Sequence, residues 1–90
     1  MSKSKEAKAY HDYLAAFDCI ACGDSPVHIH HVRHLDGDLV VRNHFLCLPL
    51  CPSCHQGKGS IHDNAKLFRM VWGTEAELLA KLTEKMWGDL

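Results

Sequence analysis

The chain has no surplus charge of either sign: 10 Lys and Arg stand against 11 Asp and Glu, a formal net charge of −1. That balance excludes a polyanion partner held by overall electrostatic attraction, so any DNA contact has to come from local basic groups or a bound cation. No apolar run approaches the roughly 20 residues that cross a bilayer, which excludes a membrane partner. Behind Met1 there is no apolar signal-peptide stretch, and the expected compartment is the reducing cytoplasm. Low-complexity tracts and linkers are also missing, and the single internal repeat is a pair of cysteine motifs. With 90 residues the expectation is one domain, 1–90, too small for its hydrophobic core alone to leave much stability in hand.

What is present is an excess of metal-binding side chains, 5 Cys and 8 His. Cys19-Ile20-Ala21-Cys22 and Cys51-Pro52-Ser53-Cys54 flank a 28-residue segment. Each Cys-x2-Cys pair closes a tight turn that aims two thiolates at one ion, and two pairs side by side complete a tetrahedral sulfur cage of the structural Zn²⁺ kind. Disulfides are the competing use, disfavoured by the expected compartment and by the odd fifth cysteine. Cys47 matches no ligand spacing and reads as an apolar filler.

Residues 4–17 read as a helix with Ala7, Tyr10, Tyr13 or Leu14, and Phe17 at three-to-four spacing. Gly23 sits where a knuckle turn calls for positive φ. Residues 27–34 alternate as a strand, 36–38 form a turn, and 39–41 are a return strand or a loop. Residues 46–50 lead into the second pair, with Pro49 limiting regular pairing. A short helix or turn is expected at 53–57, interrupted by Gly57 and Gly59, then a helix from about Ile61 to Gly73. Thr74 to Glu77 form a capping box for a last helix with Leu78, Leu79, Leu82 and Met86 on one stripe and Gly88 as its stop. Leu67, Phe68, Trp72 and Trp87 read as core or helix-packing residues. The expected class is α+β.

The histidines fall into a first group, His28, His30, His31 and His34, and a second, His55 and His62. Alternation sends His30 and His31 to opposite faces of a strand, so they need different jobs. One strand histidine and His55 can share a metal while the other strand histidine approaches the reacting group from another side. Two or three protein ligands leave positions open for water and phosphate, as in a hydrolytic metal centre. His11, His28, His34 and His44 default to solvent-facing or supporting places.

His30-His31-Val32-Arg33 followed by Pro49-Leu50-Cys51-Pro52-Ser53-Cys54-His55-Gln56-Gly57 and Ile61-His62 resembles the HNH, or ββα-metal (His-Me finger), endonucleases that carry a two-knuckle zinc. With Cys19-x2-Cys22-Gly23-Asp24-x-Pro26-Val27 ahead of it, the pattern is similar to small phage and prophage HNH proteins and to phage recombination-enhancement nucleases. The resemblance covers residues 19–62. It implies a zinc-stapled ββα-metal domain in which His30 and His55 are ligands of a catalytic cation, His62 is a further candidate ligand and His31 is the general base. It implies hydrolysis of DNA phosphodiester bonds in a bacterial host cell, with a recombination or replication protein as a possible further partner. A histidine-rich site favours Mn²⁺, Ni²⁺, Co²⁺ or Zn²⁺ alongside Mg²⁺. Arg33 and Lys58 are the candidate DNA contacts. One position departs from the pattern: Leu46 stands where the middle Asn is usual, and Asn43, three residues earlier, is the candidate to orient the base, with His44 as a substitute.

Two other function classes stand beside the nuclease. A zinc-stabilised DNA-binding or recruitment module needs the cage but no open metal site. A rubredoxin-like iron protein matches Cys-x-x-Cys-Gly and Cys-Pro-x-Cys, and needs neither the histidines nor the long helices.

Overall fold

Ser4 starts the first helix, α1 (Lys5–Leu14), by accepting a hydrogen bond from the Ala7 N–H at 3.1 Å. The computed structural model describes residues 4–33 and 43–88. The expected turn at 36–38 and the strand or loop at 39–41, with His34 and Arg42, lie outside them. Ala7, His11 and Leu14 form the buried face of α1. The helix stops three residues short of Phe17, because the N–H groups of Ala16 and Phe17 turn to the carbonyls three residues back, Tyr13 and Leu14. The chain then enters the first cysteine turn, where Gly23 has φ +87° as the knuckle requires.

β1 (His28–His31) pairs antiparallel with β2 (Cys47–Leu50), His28 opposite Leu50 and His31 opposite Cys47. Pro49 does not limit this pairing as expected. Its carbonyl accepts from the Ile20 N–H at 2.9 Å, on the side away from β1, so the missing N–H of proline falls on that side too and the ladder loses nothing. The Ile20 bond also ties the first cysteine turn to the hairpin. α1, the short α2 (Pro52–Gln56) and α4 (Glu75–Trp87) all pack on β2.

Gly57 ends α2: a Cβ there would sit 2.7 Å from the Ser53 carbonyl oxygen, so only glycine lets the chain leave the helix at this point. The next helix, α3 (Ala65–Trp72), begins four residues later than Ile61. The Asn64 N–H donates to the Ser60 carbonyl and the Asp63 N–H to the Ser60 hydroxyl, which holds a turn there, and the Asn64 side chain then caps α3 through the Leu67 N–H. α4 opens with the expected capping box, Thr74 Oγ accepting from Glu77 and Glu77 from Thr74, both at 3.1 Å.

Leu14, Ile20, Val32, Leu48, Leu50, Phe68, Leu78 and Leu82 form one buried cluster with Cys19, Cys47, Cys51 and Cys54. Leu67, Trp72 and Trp87 do not join it, being 45%, 41% and 61% exposed. The reason is geometric: α3 is about two turns long and turns only Phe68 fully inward, while Trp87 lies one position past the Leu78–Leu82–Met86 stripe of α4. Leu82→Ala, which empties a fully buried site where α4 meets the core, is expected to destabilise the fold by about 2–5 kcal/mol in urea denaturation.

Candidate metal centres

The two cysteine turns meet. Cys19, Cys22, Cys51 and Cys54 bring their Sγ atoms within 4.8 Å of one another, and Cys22 and Cys51 stand 3.5 Å apart. A tetrahedral Zn–S₄ site with bonds of about 2.3 Å has S···S edges of roughly 3.8 Å, so the set fits a single ion such as Zn²⁺ with little movement. None of the five cysteines forms a disulfide. Burial pushes the Cys19 thiol up, but N–H donors from Cys22, Cys51 and Ala21 outweigh it and bring it to about 7. Cys22 and Cys54 are held above the ordinary range, by burial first. Turn amides therefore favour a thiolate at Cys19, and converting the raised thiols of Cys22 and Cys54 needs a cation at the centre.

A second group forms on the face of β1 that carries His30. His30, His55 of α2 and His62 of the following turn place one ring nitrogen each within 4.8 Å of the others. His55 Nε2 lies 3.1 Å from His62 Nε2, and its Nδ1 lies 3.0 Å from His28 Nδ1. His30 Nε2 stands 3.2 Å from Glu75 Oε2 at the start of α4, and the same oxygen accepts the Arg33 backbone N–H. His30 is buried, His55 half-buried and His62 exposed, so the group opens outward. Beside it lies a cleft of about 250 Å³ lined by His30, His62, Arg33, Ala65, Arg69 and Glu75. Three imidazoles can hold a divalent transition-metal ion and leave positions open, and two guanidinium groups in the same cleft suit an anion next to it.

Burial, then the rings of His30, His62 and His28, hold His55 at about 4. Burial, His30 and Arg33 lower His62 as well, with Glu75 opposing. Both rings are thus neutral, the ligand form, at physiological pH. The unfolded chain takes up these protons first as pH falls from about 6.5, so the stability the neutral His55 ring contributes is complete above that value and is lost between there and 4. In urea titrations at about pH 7 and about pH 5.5, wild type is expected to lose more of its midpoint than His55→Gln does, while protonation of the cage, common to both, cancels.

The remaining predicted residues are placed elsewhere. His31 is not in the His30–His55–His62 group. Strand alternation turns its ring to the other face of β1, where Nε2 lies 3.1 Å from His44 Nδ1 and the ring packs edge-on against His11. Asn43 is exposed and its Oδ1 accepts from the Phe45 N–H at 2.8 Å, closing a turn, so His44 is the residue that meets His31. Lys58 is exposed in the turn after α2, and Arg33 is exposed on the cleft. Of the solvent-facing or supporting places expected for His11, it takes a buried one on the inner face of α1, 5% exposed.

Sequence reasoning missed Arg69 and Glu75 as parts of the cleft. Neither carries a spacing that ties it to the histidines: Arg69 counts only among the local basic groups that follow the second cysteine pair, and Glu75 falls within the capping box of α4. No helix of the structure is long and apolar enough to cross a membrane, among the described residues. No protein-family model matches this chain, and no curated protein matches it.

Proposed function

We propose that this chain is a metal-dependent endonuclease that hydrolyses DNA phosphodiester bonds. The convergence of His30, His55 and His62 at the mouth of a cleft shared by Arg33 and Arg69 carries the reading. In it the three imidazoles hold a divalent cation such as Mn²⁺, Ni²⁺, Co²⁺ or Zn²⁺, with open positions for a water and a phosphate oxygen. When bound, such a cation lowers the pKa of a coordinated water and offsets charge on the phosphorane. Arg33 and Arg69 bind the phosphate as guanidinium donors, and His28, exposed and in contact with His55, fixes the orientation of that ring. The resemblance to HNH enzymes gives the general base to His31. Because the His31 ring faces the other side of β1, the proposal assigns water activation to the cation and does not require it.

The test is nicking of supercoiled plasmid and cleavage of a labelled single strand with Mg²⁺, Mn²⁺, Ni²⁺ and Co²⁺ supplied in turn. Cleavage with none of these ions overturns the proposal. Arg69→Ala is expected to weaken DNA binding and to reduce the slope of log affinity against log salt by about 1, as one phosphate contact is lost. An unchanged slope in anisotropy titrations removes Arg69 from the interface.

One observation favours a non-catalytic zinc-stabilised DNA-binding or recruitment module instead. Glu75 Oε2 is 3.2 Å from His30 Nε2, close enough for a small side-chain rotation to make it a fourth ligand. A site closed by three imidazoles and a carboxylate has no position left for substrate. Glu75→Gln separates the two readings, leaving metal bound and cleavage present in the hydrolytic case and weakening metal retention in the closed one.

A further inference from the structure

The other face of the hairpin carries a second set of donors. His11 from the buried face of α1, His31 from β1 and Cys47 from β2 place one donor atom each within 4.8 Å of one another. Hairpin register sets Cys47 directly opposite His31, and the packing of α1 on β2 brings His11 over both. We infer that His11, His31 and Cys47 form a third metal site, for a borderline-soft divalent ion of the Zn²⁺ class, separate from the thiolate cage and from the three-imidazole group.

Distance, burial and donor chemistry each support it. His11 Nε2 and Cys47 Sγ are 3.3 Å apart. Bonds of about 2.0 Å to nitrogen and 2.3 Å to sulfur at a tetrahedral angle give an N···S edge of roughly 3.5 Å, so an ion fits between them with a shift of tenths of an ångström. His11 is 5% exposed and Cys47 0%, which keeps competing water away. Two imidazoles and a thiolate select Zn²⁺, Co²⁺ or Cu⁺ and disfavour the oxygen-seeking Mg²⁺ and Ca²⁺.

His44 supplies the surroundings. Its carbonyl accepts from both His11 Nε2 and Cys47 Sγ, and its Nδ1 meets His31 Nε2 at 3.1 Å. Its own Nε2 is buried and has no hydrogen-bond partner among the described residues, a polar atom available beside the site. Binding converts the Cys47 thiol to a thiolate, its proton going to solvent, and moves the His11 proton to Nδ1 so that the Nε2 lone pair faces the ion. Among the described residues, rotation of the His44 ring is what would bring a fourth donor to the ion. A His31 coordinated in this way is a ligand and is not free to serve as a general base.

The inference stands apart from the nuclease reading and is tested without activity. Protein whose thiolate cage is filled with Zn²⁺ is titrated with Co²⁺ and followed by absorbance. Cys47 is the one cysteine outside the cage, of 5 in the chain, so a sulfur-to-cobalt charge-transfer band arising on Co²⁺ addition reports this site. The band is expected in wild type, lost in Cys47→Ser, His11→Gln and His31→Ala, and retained in His55→Ala, which alters only the proposed hydrolytic centre. Elemental analysis should show one ion fewer per chain in His11→Gln than in wild type, with circular dichroism checking that the fold persists. A saturating Co²⁺ titration of wild type without the band overturns the inference and leaves the nuclease proposal untouched. A band that survives in His11→Gln and His31→Ala overturns it too, because the thiolate would then be reporting a different set of ligands.

Discussion

Replacing any one of Cys19, Cys22, Cys51 or Cys54 by Ser is expected to unfold most of the domain. Three of the four side chains are buried in the same cluster as Leu48, Leu50 and Phe68, so the cage and the apolar core are one structure. A structural Zn²⁺ bound by converging thiolates contributes on the order of 10 kcal/mol to folding. That is as large as the whole net stability of a typical small domain, about 5–15 kcal/mol. Cys22 and Cys51 stand 3.5 Å apart, so two thiolates there repel each other unless a cation lies among the sulfur atoms. The expected result is loss of the far-ultraviolet helical signal in each Cys→Ser variant, and in wild type treated with a strong chelator, with recovery on adding Zn²⁺ to wild type alone. A chelated protein that keeps its circular dichroism and urea midpoint would show that the hydrophobic core suffices. Iron in the purified protein, visible as a red colour, would move the cage to the rubredoxin-like class.

The cage was legible in the sequence because its information is local: each Cys-x2-Cys pair fixes its own turn, and Gly23 at φ +87° marks one of them. The capping box of α4 was legible for the same reason, both its bonds lying within four residues. The group of His30, His55 and His62 came from position-by-position resemblance and from the rule that adjacent strand residues face opposite ways. The rest depended on long-range packing. His11 and Cys47 are 36 positions apart and meet only because α1 lies on β2, so a lone helix histidine and a lone strand cysteine gave no pattern to detect. Arg69 reaches the cleft only because α3 starts at Ala65, a start decided by the Ser60–Asn64 turn rather than by hydrophobic period. The aromatic residues misled in the opposite sense. Apolar character gave Trp72 and Trp87 a core or helix-packing place, yet neither joins the core, since small domains leave much apolar surface in water for lack of interior to hold it.

Under the nuclease proposal, His55→Ala is expected to abolish metal-dependent DNA cleavage while leaving the four-cysteine cluster and the fold intact. His55 meets His62 through Nε2 and His28 through Nδ1, so its removal takes one of the three donors of the group and also the ring that His28 orients. Charge stabilisation by a cation is worth several kcal/mol in the transition state, so its loss lowers the rate by about a thousandfold or more. His31→Ala discriminates between mechanisms. General-base catalysis alone is worth about 10²–10⁴ in rate, so a loss of that size with every metal retained would return His31 to the base position the HNH resemblance gives it. A small loss of cleavage together with loss of the cobalt–thiolate band would leave water activation to the cation and His31 to the third metal site. The decisive measurement is single-turnover cleavage of a labelled strand with Mn²⁺ or Co²⁺, run beside calorimetry of metal binding for wild type, His55→Ala and His31→Ala. Cleavage at the wild-type rate in His55→Ala would remove the three-imidazole group from the chemistry.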